Sequence, residues 1–184
     1  MYFEWTKTFT EKDRADVLTL MNAVALNETT MGYHEALTQE QEDSLINAMI
    51  GEMDSHNCHI LFIRNEERKI VAMVTIVQQT LPARKHIVEV KRCTILPEYR
   101  NGLIFDGWKV TLEKIKEIGG DIAILDVRSD GNAEKLWRLM GFKEYGRLDD
   151  YARAKGKNIV GYFMYLYVED ALKYYETHGT WLKK

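Results

Sequence analysis

The sequence predicts an α/β (α+β) fold in which a central mixed seven-stranded sheet contains a splayed parallel pair. Three observations point there. The hydrophobic period changes from helical to strand-like between Met53 and Cys58, so helices give way to strands. A strand, a helix and a strand between His86 and Val127 have the length of a βαβ unit, which makes the two strands parallel with a right-handed crossover. In the first of those strands Val88 and Val90 have one parity while Cys93 and Ile95 have the other, and a bulge at Lys91 or Arg92 would produce that slip and splay the strand from its neighbour. With 184 residues and 46% hydrophobic content, the chain suits one domain with a sizeable core.

The elements follow in order. Phe3 to Phe9 alternates aromatic and polar residues as a half-exposed strand does. "EKDRADVLTLMNAVALNE" carries Ala15, Leu18, Met21 or Val24, and Ala25 at helical spacing. A second helix starts near Thr38, where "TQEQ" has the capping-box form, and Leu45, Ala48, Met49 and Met53 continue an apolar stripe. "CHILFIR" and "KIVAMVTIVQQT" form a hairpin across "NEER", and the second strand, apolar on both faces, belongs in the middle of a sheet. "HIVEVKRCTIL" is the next strand. Trp108, Leu112, Ile115 and Ile118 mark a helix that stops at Gly119-Gly120, and "DIAILDV" is a buried strand. A helix from about Asn132 to Met140 ends at Gly141, and two strands follow, about Phe142 to Leu148 and Ile159 to Val168. "EDALKYYETHGTWLKK" reads as an added helix.

Composition excludes several classes of function. A formal charge of −3 with no basic cluster argues against nucleic-acid binding. Cys58 and Cys93 are too few to staple a small secreted scaffold and read as reduced core thiols. "MYFEWTKTF" has no basic start followed by an apolar run. The longest apolar stretch, Ile70 to Val77 except for Thr75, is too short to cross a bilayer, so the expectation is a cytoplasmic protein with no membrane partner. "HNCH" has the wrong spacing for a metal on one helical face and lacks a second cluster, so no metal is expected.

The stretch "PEYRNGLIFDGW" turns from strand to helix, where successive backbone N–H groups and the positive end of the helix dipole favour an anion. The order β-α-α-β-β-β-α-β-α-β-β plus a C-terminal helix resembles that of the GNAT superfamily of N-acetyltransferases, from about Phe3 to Val168. "VEVKRCTILPEYR" resembles the strand and Arg that open the family's acetyl-CoA signature, Arg or Gln, two residues, Gly, one residue, then Gly or Ala. "NAEKLWRLMGF" resembles the helix that closes with Leu-Gly-Phe. "LDVRSDGNAEKLWRLMGFKEYGRLDDYA" is similar to the tabtoxin-resistance-type branch of small-amine acetyltransferases, which reads Leu-Asp-Thr-Arg, Ala-Glu-x-Leu-Tyr and Tyr-Ala in that order.

The resemblance implies one domain over 1–168, with 169–184 as its helical extension, and acetyl-CoA as co-substrate. Cys93, Thr94 and Ile95 would contact its pantetheine arm, and Arg100, Asn101, Gly102, Leu103 and Ile104 would hold its diphosphate, mainly through backbone. The acceptor would be a primary amine of a small or amino-acid-like molecule. Such an amine, with a pKa of about 10.4, must lose a proton before attack. Glu89 resembles the Glu of the family's Glu-Val segment and would accept it, or else faces solvent on an alternating strand. The backbone N–H of Ile95 or its neighbour would meet the oxyanion. Tyr151 would touch substrate or act as an acid, or else packs; Asp149 and Asp150 would attract an amine, or else are solvated loop acids. Glu28, Tyr33 and His34 fall where the acceptor wall is usually built.

Two positions depart from the pattern. Gly102 comes one place early, so either the turn is a residue shorter or bulky side chains stand where backbone must approach phosphate. Trp137 occupies the place of the usual Tyr acid, and its indole N–H can bond sulfur or line the cleft but gives up no proton near neutral pH. Both motivate an alternative, a non-catalytic GNAT-like CoA-binding or partner-binding module. The aromatic tail, Tyr174, Tyr175 and Trp181, either caps its own domain or forms a homodimer.

Overall fold

The computed structural model describes residues 1–27, 35–100, 102–154 and 156–179. The elements are β1 (Tyr2–Thr6), α1 (Glu11–Asn27), α2 (Gln39–Asp54), β2 (Cys58–Arg64), β3 (Ile70–Gln78), β4 (Ile87–Ile95), α3 (Leu103–Glu117), β5 (Ile122–Arg128), α4 (Ala133–Leu139), β6 (Lys143–Ala154), β7 (Lys157–Tyr167) and α5 (Val168–His178). Single 3₁₀ turns lie at Pro82–Arg84 and Pro97–Tyr99. This is the order read from the sequence. The strands form one seven-stranded sheet in the order β1-β2-β3-β4-β5-β7-β6. It is mixed, with β4 and β5 parallel, as the βαβ unit requires, and β1–β2, β2–β3, β5–β7 and β6–β7 antiparallel. None of the described helices is long and apolar enough to cross a membrane.

The chain forms two compact units, one of Met1–Val77 with Val90–Gly107, the other of Gln78–Glu89 with Trp108–Lys184. In the first, Val17, Leu20, Met21 and Val24 of α1 and Leu45, Ile46 and Met49 of α2 share a core with Ile60 and Phe62 of β2 and Ile70 and Met73 of β3. The α1 stripe runs through Val17 and Leu20 rather than Ala15, which is exposed; apolar residues at four of the five positions 17–21 let the period fit more than one phase. Ala48 of α2 is likewise exposed and Ile46 takes its place. The predicted capping box forms: the Gln41 N–H donates to the Thr38 hydroxyl while the Gln41 side chain accepts from the Thr38 N–H. β1 ends at Thr6 rather than Phe9, because Phe9 leaves the strand to pack edge-on against Phe62, with centroids 5.6 Å apart. Asp13 and Arg64 form a buried ion pair at 2.7 Å. Burial works against the Asp13 carboxylate, but hydrogen bonds from Thr10 and Arg64 hold it below its ordinary pKa.

In the second unit, one face of β5 and β7 is core: Ala123 pairs with Leu166 and Leu125 with Met164, all buried. Trp108, Leu112 and Ile115 of α3 are buried as the sequence predicts. That helix stops where expected, with Gly119 at φ 81 and the Gly120 N–H donating to the Ile115 carbonyl at 2.8 Å. β6 runs on to Ala154, past the predicted end at Leu148, because it resumes pairing with β7 after an irregular stretch.

Gly120 owes its identity to space rather than dihedral freedom. A Cβ there would come within 2.6 Å of Val88 Cγ2 and of Ile115 Cγ2. Gly120→Ala is therefore expected to destabilise the protein by about 1–3 kcal/mol, read as a lower urea midpoint at unchanged slope.

Candidate active site

Within the first unit, the part of β4 after Val90 is irregular. Arg92 has φ 48, inside a strand, so the backbone is irregular at one of the two residues predicted for a bulge. Thr94 nevertheless returns to the inward parity of Val88 and Val90, and Cys93 and Ile95 are half-buried. The Thr94 hydroxyl is buried without a hydrogen-bond partner, so anything this segment offers a ligand comes from its backbone. Burial pushes the Cys93 thiol up to about 12, which makes it inert. Arg100 folds back and donates from Nε and Nη2 to the Ile95 carbonyl, at 3.2 and 3.1 Å, tying the turn to the end of the strand.

Gly102 has φ 96, a conformation that suits glycine, and the space around its missing Cβ is open. α3 starts immediately after it, at Leu103. Leu103, Ile104 and Phe105 bury their side chains. The N–H groups of Leu103 and Ile104 occupy the first turn of the helix, where no intrahelical acceptor exists.

Within the second unit, the sheet face opposite the core carries acids and aromatic rings. Glu89 is in register with Ile124, and further along that face of β5 Asp126 pairs with Phe163 and Arg128 with Gly161. Between the pairs Leu148–Gly161 and Ala152–Ile159, three residues of β6, Asp149, Asp150 and Tyr151, oppose the single residue Val160 of β7. This bulge turns Tyr151 over Gly161, where an added Cβ would lie 2.6 Å from the ring's Cδ2. The Tyr151 ring stands edge-on to Phe163, centroids 6.0 Å apart, and its hydroxyl donates to Asp126 Oδ2. Burial first, then the bond to Asp126 and the charges of Asp126 and Glu89, push the phenol up to about 12 against an opposing pull from Arg128. Tyr145 extends the aromatic face, 6.3 Å from Phe163 and 6.2 Å from Tyr165.

No family model matches the chain, and no curated protein matches it. Its likeness to solved structures is extensive. An acetyltransferase of the GNAT family from Streptococcus pneumoniae superposes with a TM-score of 0.69 at 21% identity, over 90% of this chain and 98% of that one. A proposed phosphinothricin N-acetyltransferase gives 0.75 at 15%, over 91% and 98%. The yncA protein of Salmonella typhimurium, solved with its cofactor acetyl-CoA, gives 0.70 at 13%, over 91% and 94%. The chain has the GNAT fold.

On this GNAT frame the predicted residues separate into distinct settings. Cys93, Thr94, Ile95, Arg100, Gly102, Leu103 and Ile104 form one continuous strand and turn; Asn101, like Glu28, Tyr33, His34 and Trp181, lies outside the described residues. Glu89 and Tyr151 stand in the second unit, electrostatically coupled through the Tyr151 phenol. Trp137 is 6% exposed and stacks edge-on with Trp108 and Phe142 at 5.4 and 5.2 Å, so packing accounts for it. Asp149 and Asp150, predicted as loop acids, sit on the β6 bulge and pair with Arg147 and Arg153. Sequence reasoning missed Asp126 and Gly161. The signal for Asp126 was present, since it and Tyr151 belong to the two ends of the same motif, "LDVRSDGNAEKLWRLMGFKEYGRLDDYA"; Gly161 in an apolar strand marks a close approach only once its partner is known. Among the described residues no cluster of three His, Cys, Asp or Glu is arranged to hold a metal.

The shifted phenol can be measured. In a spectrophotometric titration, wild type minus Tyr151→Phe is expected to show one tyrosine ionising near 12 instead of near 10. Because the folded value is the higher, Tyr151's contribution to stability is complete below about pH 10 and is lost as pH rises toward about 12. A difference spectrum centred at pH 10 would refute the Asp126 bond.

Proposed function

We propose that the chain is an acetyl-CoA-dependent N-acetyltransferase acting on a primary amine of a small, amino-acid-like molecule, of the tabtoxin-resistance type. The observation that carries this reading is the acid face of the second unit. Asp126 and Tyr151, the residues that match that branch's Leu-Asp and Tyr-Ala elements, hydrogen-bond to each other on the sheet face that also carries Glu89. Two carboxylates and exposed aromatic rings on one face suit an ammonium group.

The first unit fits the co-substrate. The open left-handed Gly102 and the first N–H groups of α3 suit a diphosphate, and the backbone of Cys93–Ile95 suits the pantetheine amides. When bound, acetyl-CoA supplies the activated acyl carbonyl, and transfer makes one C–N bond and breaks one C–S bond. The chain's residues manage the protons. Glu89 takes a proton from the ammonium directly or through water, and Asp126 holds the amine. Tyr151 is better suited to orienting Asp126 than to acting as an acid, because a phenol near 12 protonates a thiolate of pKa about 8.5 only uphill.

Calorimetry with acetyl-CoA and turnover with a panel of amines test the reading. Binding and turnover are expected, with Glu89→Gln and Asp126→Asn each lowering kcat by about 10²–10⁴ while acetyl-CoA binding persists. Binding without turnover of any amine would support a CoA-binding module instead, and no binding at millimolar acetyl-CoA would remove both readings.

A further inference from the structure

The residue that interrupts β4 is an arginine in a conformation that favours glycine. Among the described residues three non-glycine positions have positive φ: His56, Arg68 and Arg92. His56 and Arg68 lie in the turns on either side of β2, where such conformations are ordinary; Arg92 lies inside a strand. A side chain disfavours this backbone sterically, so something must hold it there.

Glu52 of α2 does so. Arg92 Nη1 donates to Glu52 Oε2 at 2.6 Å and Nη2 donates to Oε1 at 3.1 Å, a two-pronged fork in which both groups are largely shielded from water. Lys91 Nζ is 4.0 Å from the same carboxylate. An independent feature makes the fork more than incidental. Glu52 stands in the last turn of α2, where a negative charge opposes the helix dipole and the sequence provides no basic residue of its own. Glu52 is therefore badly placed for α2 and well placed for β4. Hydrogen bonding from Arg92 is the main cause that holds its carboxyl below the ordinary pKa.

We propose that the Arg92–Glu52 fork is a latch through which α2 sets the backbone of Cys93–Ile95, so that Glu52 and Arg92 are positioning residues for the acetyl-CoA segment of β4. The latch rests on the acetyl-CoA reading for its consequence and on geometry alone for its existence. A planar guanidinium bonded at two points fixes the direction in which the side chain leaves the backbone, and a lysine at 92 would keep the charge without the fork.

Two measurements on the whole protein test it. The first is acetyl-CoA affinity together with KM and kcat. Glu52→Gln is expected to raise the acetyl-CoA Kd and KM about tenfold with kcat within about twofold. Arg92→Lys should resemble Glu52→Gln, and Arg92→Gly should bind more tightly than Arg92→Ala, because glycine adopts the left-handed conformation without a latch. The second is hydrogen exchange at Leu96, whose N–H donates to the Val71 carbonyl at 2.9 Å. Glu52→Gln should speed exchange across Arg92–Leu96 at least tenfold while β2 keeps its protection. Unchanged exchange there overturns the latch, whether or not the protein binds acetyl-CoA. Faster exchange with wild-type cofactor affinity overturns its positioning role. Failure of the wild type to bind acetyl-CoA overturns the functional reading and the positioning role with it, and the latch then stands or falls on exchange alone.

Discussion

The backbone of Arg92 constrains everything that follows it in β4. A backbone N–H or carbonyl serves a neighbouring strand or a ligand, and a strand in regular alternation commits each group in advance. Before Arg92 the alternation holds: Val88 and Val90 point inward, and Glu89 registers with Ile124. At Arg92 the chain takes φ 48, yet Thr94 keeps the inward parity of Val88 and Val90, with Cys93 and Ile95 half-buried. One strand thus carries an acid on its regular half and a left-handed residue at the start of its irregular half. At that residue the Arg92 side chain has a firm partner, the two-point fork to Glu52.

A similar exchange of regularity for placement occurs in the β6–β7 hairpin. Opposing three residues to one costs ladder hydrogen bonds, but it brings Tyr151 over a glycine and within reach of Asp126. A phenol raised to about 12 stays a neutral donor at any physiological pH, so it steadies the Asp126 carboxylate without competing for protons. The exposed acids of the bulge, Asp149 and Asp150, are taken up by Arg147 and Arg153.

The element order was legible because each signal was local. The capping box at Thr38 and the Gly119-Gly120 stop both depend on neighbours within a few residues, whereas the parity slip read near Arg92 is not realised, since Thr94 keeps the inward parity of Val88 and Val90. Helix phase was less legible: where Val17, Leu18, Leu20 and Met21 are all apolar, only packing decides which of them face inward. The candidate site was half legible. Glu89 and the Cys93–Ile104 segment are read from their resemblance to family motifs, whereas the Asp126–Tyr151 bond joins residues 25 apart through a bulge whose size no local signal reveals. The Arg92–Glu52 fork spans 40 positions and was invisible for the same reason.

The two departures from the family pattern have a common resolution in what each side chain is asked to do. After the early glycine, α3 starts at once with Leu103, Ile104 and Phe105 turned inward. Further along that helix Trp108, 1% exposed, meets Trp137 edge-on and Phe142 beside it. Trp137 therefore answers to the core. In the proposed reaction the proton it fails to supply would matter little, since a thiol of pKa about 8.5 leaves tolerably as the thiolate and can take its proton from water.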